Sequence, residues 1–449
     1  MIFSFIQYTQ PAWYFNLLPT AQVFPSCYYH PQLMPLPDGF QIENDDDYET
    51  ESAKYADIGY RAWNSGVLAN CTQHIAETLH NLPKPTLFDE YRFITKYWGK
   101  HWSVMALFAR LLSLKNPFKE IAAFNKASKT PRYSLHNQLY NWEAYHTYQS
   151  PLVKQQPTVS VIIPTLNRYE YLKDVMQDLE KQTWTNFDVI VVDQSEPFDS
   201  AFYKQFKLNI NAIPQKEKLL WTARNKAIKT SRAEYLLFFD DDSRVKPDWI
   251  EQHIKTLDFF KADISAGVSI STVGGKIPKS YNFFRWADQF DSGNAMVRQQ
   301  IFHQTGLFDL QFNKQSSGDA EFGLRSYMQG IRSISNPYAD RVHLKVNSGG
   351  LREIGHWDAF RPKKLFAPKP VPSVIYLLKK YFPHKYYRNS VYIGIMLSNI
   401  SFKNKSNNKM VLLSVLATFF KLPLLAIQFH KSLSLAKKKL AEGDKIEWL

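Results

Sequence analysis

From about residue 158 the chain alternates short apolar runs with amphipathic stretches. VSVIIPT (159–165) and FDVIVVD (187–193) are compact and rich in β-branched residues, the pattern of strands buried on both faces. Glu234–Phe239 reads as a third strand and Ile264–Ser271 as a fourth. Between them, apolar spacing predicts helices from about Tyr169 to Gln182 and over Thr222–Ser231. A further helix is expected with Pro247 near its first turn, where a missing N–H costs little. Strands alternating with helices predict an α/β fold: a mostly parallel sheet with helices on both faces. Such sheets bind ligands at the carboxyl ends of their strands, where Asp193 and Asp240 stand.

The flanks carry a different pattern. Residues 1–150 have no clear repeat, and Ala53–Leu82 and Glu90–Leu114 have helical apolar spacing. Thr130 to Pro157 reads as the approach to a new domain. From Val371 the chain is helical, basic and aromatic. MVLLSVLATFFKLPLLAIQF (410–429) is its most apolar stretch, about the ~20 residues that span a bilayer. Lys421 and Pro423 interrupt it and lysines crowd both sides, so a helix lying in the membrane interface is favoured over a core bundle or a true span. Three regions are expected: a mainly helical 1–150, an α/β domain at 158–360 and a basic helical 361–449.

Composition sharpens this division. Of 449 residues, 45% are hydrophobic and 21% charged, values of a globular chain with a sizeable core. The net charge of +14 is concentrated: residues 361–449 hold 17 Lys and Arg against 3 Asp and Glu, so residues 1–360 are neutral in sum. That disfavours a uniformly basic nucleic-acid binder and suits an anionic membrane surface met by 361–449. Two cysteines without a CxxC or Cys/His cluster support neither a disulfide framework nor a zinc site. The opening residues do not resemble a signal peptide, and the expected setting is cytoplasmic, peripheral on the inner face of the membrane.

The chemistry begins at YLLFFDDDS (235–243), where an apolar run meets three aspartates. Carboxylates on a turn at a strand's end suit a hard divalent cation and the diphosphate it neutralises. Asp45-Asp46-Asp47 is an equally acidic triplet, but NDDDYETE follows no strand and is expected to be a solvated loop or helix start. Motifs for dinucleotide, P-loop, zincin and serine-hydrolase chemistry are absent.

Five stretches occur in an order that resembles the family-2 glycosyltransferases, over about residues 158–350: VSVIIPTLNRYEYL, FDVIVVDQSE, WTARNKAIKTSRAEYLLFFDDDSRVKPDWI, SGNAMVRQQIFHQTGLFD and GDAEFGLR. The resemblance implies a GT-A fold and a nucleotide-sugar donor with Mn2+ or Mg2+. It places Asp193 on the base, with Pro164, Thr165, Arg168, Arg224 and Asn225 around the nucleotide. Asp240 and Asp241 would bind nucleotide-sugar, Asp242 and His343 the metal. Asp319 would be the general base in an inverting displacement onto a glycan or lipid-linked acceptor. Gly318 stands where the family usually has Glu, which leaves Glu321 to support or replace Asp319. His343 is open to a structural reading; Lys345, the turn Gly349-Gly350-Leu351-Arg352 and Gly274-Gly275 are open to ordinary loop readings. A nucleotidyltransferase and a non-catalytic membrane-associated assembly partner are the rival functions.

Overall fold

The computed structural model describes residues 3–12, 14–17, 26–272, 277–288, 290–346, 349–351, 355, 358–400, 418 and 420–449. The chain divides into two compact units, 1–141 with 381–401 and 142–380 with 402–449. The region expected to run as one piece from 361 is thus shared between them.

The first unit is helical: α1 (Glu51–Asn64), α2 (Gln73–His80), α3 (Leu87–Tyr97), α4 (Lys100–Leu112) and α5 (Pro117–Ala127), joined by the helix His384–Ser398. Each of the two long helices expected here is a pair of shorter ones. The α3–α4 break falls at Gly99, whose φ of +93° a side-chain-bearing residue rarely adopts. Helix starts follow local capping chemistry: Thr50 accepts from Ala53 N, and Thr86 with Asp89 forms a reciprocal capping box. Aromatics fill the core, with Phe3 stacked on Phe93 at 4.0 Å and Phe5 edge-on to Tyr91 at 4.9 Å. Within this core Asp57 is fully buried. It accepts from Arg61, Lys96, Tyr48 and Tyr97 at 2.6–2.9 Å.

The second unit opens with two short helices, α6 (Glu143–Thr147) and α7 (Pro151–Gln155). They are anchored rather than free: Tyr145 hydroxyl donates to Gln252, and Ser150 hydroxyl to Asp258. The strands and helices then run β1 (Val159–Thr165), α8 (Tyr169–Leu179), β2 (Phe187–Asp193), α9 (Ser200–Tyr203), β3 (Ile210–Pro214), α10 (Leu220–Thr230), β4 (Tyr235–Phe239), β5 (Ser243–Val245), α11 (Trp249–Phe259), β6 (Ile264–Ser271), β7 (Arg285–Trp286), β8 (Asn294–Arg298), α12 (Ile301–Thr305), α13 (Gly318–Met328) and β9 (Ser333–His343). The nine-stranded sheet has the order β3-β2-β1-β4-β8-β6-β9-β5, with β7 on β9.

Its first four strands are parallel, and the other side is mixed, with β8 antiparallel to both β4 and β6. The expected "mostly parallel" sheet therefore holds for one side of a mixed one. Thr165 is level with Asp193, and Phe239 with Asn294, so the carboxyl ends of β1, β2 and β4 reach one edge where the strand direction reverses. That reversal opens a crevice.

A last helix, Leu422–Glu442, docks onto this unit through Leu425, Gln428, Ser432 and Ala436, one stripe at helical spacing. Gln428 donates to Leu365 O and Lys439 to Gln311 O. The apolar stretch 410–429 lies partly outside the described residues, at 410–417 and 419. Among the described residues no helix is long and apolar enough to cross a membrane.

Candidate functional site

Along the crevice at the sheet's carboxyl edge runs a cavity of about 900 Å³, a volume suited to a nucleotide-sized ligand. It is lined by Pro164, Arg168, Asp240, Asp241 and Asp242 at the ends of β1 and β4, by Arg341 of β9, and by Trp221, Arg224 and Asp319 from helices α10 and α13.

Backbone register places the metal-type ligands. β5 pairs antiparallel with β9, Ser243 opposite His343, which sets the last residue of β9 beside the turn after β4. His343 Nε2 lies 3.2 Å from Asp242 Oδ1. Arg341, two residues earlier on the same strand, shares its face by the two-residue period. One ligand atom each from Asp240, Asp242 and His343 lies within 4.8 Å of the others.

The three aspartates have distinct partners. Asp240 accepts from Arg224 Nη2 at 3.1 Å and Arg341 Nη1 at 2.8 Å. Burial alone would raise its pKa; Arg341 and Arg224 outweigh it and hold the carboxyl well below the usual carboxylate range. Asp241 turns to β1, accepting from Thr165 Oγ1 at 2.8 Å and Arg168 Nη1 at 2.9 Å. Burial, with the Asp242 charge beside it, pushes it up to about 6 against the pull of Arg168. Asp242 is buried, and its Oδ2 has no hydrogen-bond partner, with Arg168 Nη1 3.3 Å away.

A buried carboxylate oxygen with an unmet lone pair, beside a second carboxylate and an imidazole, is a donor set that fits a divalent cation. Asp240, Asp242 and His343 are the residues that would hold it.

Asp319 stands in the first turn of α13, its Oδ1 accepting from Ala320 N at 2.8 Å. Burial and the carboxylate of Asp291 push it up to about 6, opposed by Arg224. A carboxyl poised near 6 inside a cavity can take a proton at neutral pH. The residue before it is Gly318, where a Cβ would lie 2.4 Å from the Trp221 ring. The indole fills the space of the absent side chain, fixed by its Nε1 donating to Phe312 O at 3.1 Å.

Four expected site residues turn away from the cavity. Asp193 is buried and fully engaged: the hydroxyls of Tyr169 and Tyr203 donate to Oδ2 at 2.6 and 2.7 Å, and Ser195 N to Oδ1. Thr165 is spent on Asp241. Asn225 pairs with the backbone of Phe308 in both directions. Glu321 is buried in a two-bond ion pair with Arg325, with Lys380 Nζ 3.3 Å away, so it supports the helix and does not face the cavity.

Lys345 and Leu351 line the cavity, and Gly350 N donates to Leu166 O at 2.8 Å. Gly274, Gly275 and Arg352 lie outside the described residues. Sequence reading missed Trp221, Asp291 and Arg341. Asp291 accepts from Arg341 at 3.2 Å and from Ser269. Of these, only Trp221 stands within a stretch whose motif was visible.

Residues 160–314 match the family model Glycosyl transferase family 2. This part of the chain is similar in sequence to the family-2 glycosyltransferases, and its sheet flanked by helices is the α/β architecture the resemblance implied. The O-antigen biosynthesis protein RfbC of Myxococcus xanthus is 25% identical over 254 residues, 47% of this chain and 20% of the relative. Poly(ribitol-phosphate) beta-N-acetylglucosaminyltransferase TarS of Staphylococcus aureus is 26% identical over 190 residues, 38% of this chain and 33% of the relative. The chain spans a third or less of the length of these relatives. A solved structure of S. aureus TarS 1–349 in complex with UDP-GlcNAc aligns over 43% of this chain and 60% of its own, at 20% identity and a TM-score of 0.38.

Proposed function

We propose that this protein is an inverting, metal-assisted glycosyltransferase that moves a sugar from a nucleotide-sugar donor to an acceptor hydroxyl in surface polysaccharide synthesis. The observation that carries this reading is one cavity lined by Asp240, Asp242 and His343, by Arg168, Arg224, Arg341 and Arg361, and by Asp319 with its raised pKa.

Arg168, Arg224 and Arg341, with Lys345, make the cavity wall complementary to a diphosphate. Asp240, Asp242 and His343 would hold Mn2+ or Mg2+, which would supply charge neutralisation for the departing nucleoside diphosphate. Asp319 takes the acceptor proton. The acceptor oxygen forms its bond to the anomeric carbon as the bond to the diphosphate oxygen breaks, the electron pair leaving with the diphosphate. With one displacement the anomeric configuration inverts.

Relatives named for O-antigen biosynthesis and for transfer to poly(ribitol-phosphate) support a glycan or lipid-linked acceptor. The exposed Phe420 and Leu422 beside Lys421 support membrane contact by the 361–449 region, peripheral on the cytoplasmic face. The assembly-partner alternative drew on the missing Glu at 318. Trp221 takes that space while Asp319 stays in the cavity, which favours catalysis.

The test is transfer or donor hydrolysis by purified protein with UDP-, GDP-, dTDP- and CMP-sugars and Mn2+. Asp319→Asn is expected to keep donor affinity and lose roughly 10²–10⁴-fold in rate. Full activity in that variant removes Asp319 as base; no donor bound from the whole panel removes the glycosyltransferase reading.

A further inference from the structure

Helices α4 and α5 form a hairpin with an outer surface that is apolar. Ser103, Ala106, Glu120 and Ala127 face inward and are buried. On the outside Val104, Phe108 and Leu112 recur every four residues and are 50%, 64% and 69% exposed. Leu114, Phe118 and Ile121 extend the stripe around the turn, with Leu114 at 93% and Phe118 at 84%. Every residue from Leu112 to Lys119 is exposed. Isolated exposed apolar side chains are ordinary; a run of six on one hairpin marks an interaction surface.

The backbone gives an independent sign. Leu114 has φ of +56°, the left-handed conformation that glycine or asparagine normally supplies just past a helix end. A leucine pays a steric penalty there. The turn thus holds a large apolar side chain at its tip where a small residue would fold more easily.

The charge of the hairpin has one sign. Between residues 100 and 129 the single acid is Glu120, buried and held by two hydrogen bonds from Arg110 at 2.8 and 2.6 Å. Lys100, Lys115, Lys119 and Lys129 are exposed around the apolar stripe.

We propose that the α4–α5 hairpin docks on an anionic lipid bilayer, Leu114 and Phe118 entering the acyl boundary and Lys115 and Lys119 meeting headgroup phosphates. At 13 and 11 residues the two helices are too short to span, which needs ~20, and they lie in the interface. A second copy of this face would set lysines against lysines, a repulsive arrangement. An anionic bilayer offers apolar and negative chemistry together, matching the stripe and its rim.

The test places an environment-sensitive fluorophore at Ser113→Cys in full-length protein carrying Cys27→Ser and Cys71→Ser. Vesicles of phosphatidylcholine with phosphatidylglycerol are expected to blue-shift the probe, and phosphatidylcholine alone to do so far less. In the unlabelled chain, Leu114→Asp with Phe118→Asp is expected to weaken binding to the anionic vesicles by roughly tenfold or more, with Tm and donor affinity unchanged. Contact through 361–449 alone leaves the probe unmoved, and that result overturns the proposal. So does vesicle binding unchanged in the double variant. A probe shift without vesicles, accompanied by a dimer that the double variant dissolves, assigns the face to a second copy and also overturns it.

Discussion

The chain has two aspartate triplets, and their surroundings separate structure from chemistry. In the first unit Asp45 is bound by Arg92 at 2.7 Å and Lys96 at 2.6 Å, Asp46 lies 3.4 Å from Lys54, and Asp47 lies 2.7 Å from Arg92. This triplet lies in the turn that leads into α1, with Asp46 and Asp47 exposed as the sequence suggests, while the mostly buried Asp45 ties that turn onto α3. In the second unit Asp240 and Asp241 accept hydrogen bonds from arginines, whereas the buried Asp242 Oδ2 accepts none, with Arg168 Nη1 3.3 Å away and His343 beside its other oxygen, and all three aspartates line a cavity. Equal acidity therefore says little. The informative features are burial, a carboxylate oxygen left without a hydrogen bond, and a cavity in front of it.

That comparison breaks first on activity. Asp240→Asn with Asp242→Asn is expected to lower transfer by about 10³-fold or more, the scale of a lost charge clamp on a leaving group. Asp240→Asn also takes the charge partner from the buried Arg224 and Arg341, so a lower urea midpoint is expected alongside the lost activity. Metal-dependent nucleotide binding that survives in this variant would place the second triplet with the first.

The mirror-image experiment is Asp45→Ala. It leaves Arg92 and Lys96 short of a partner in a mostly buried cluster and is expected to cost about 2–3 kcal/mol in urea unfolding. Donor affinity should not move.

The smallest effect is in pH, and the two regions have opposite signs. Burial alone would raise the Asp45 pKa, but Lys96 and Arg92 outweigh it and hold the group low. Its stabilisation is present above the unfolded value of ~3.9 and is lost as pH falls below it. Asp319 is pushed up to about 6, so its ionisation costs stability above pH 6, a cost that fades as pH falls toward 4. Transfer should accordingly fall about tenfold per pH unit below 6, while Asp319→Asn raises Tm at pH 7 and not at pH 4. Activity that is flat between pH 5 and 7 would show that Asp319 is not the titrating base.

The legible parts of the fold were those governed by local pattern. β1, β2 and β6 run over the residues expected because the first two carry compact apolar runs and the third strictly alternates apolar residues with Ser or Gly. β8 (NAMVR) and β9 (SISNPYADRVH) were missed: one is short, the other carries Pro337 and mixed polarity, and their pairing is set by distant strands. Those two strands supply the antiparallel pairs, and β9 brings Arg341 and His343 to the site. Arg341 and Asp291 are 101 and 50 residues from the groups they bind, a separation that no local pattern encodes. Asp193 shows the converse. Its place at a strand's end was readable, but the tyrosines that occupy it were not.

The contact between Trp221 and Gly318 closes certain mutational routes. With the indole in place, an acid at 318 has nowhere to go, so Gly318→Glu alone is a dead end. Trp221 must first be traded for something small, and the two positions change only in that order. A library that varies position 318 with Trp221 intact will not recover an acid there, whereas one that varies the two together can.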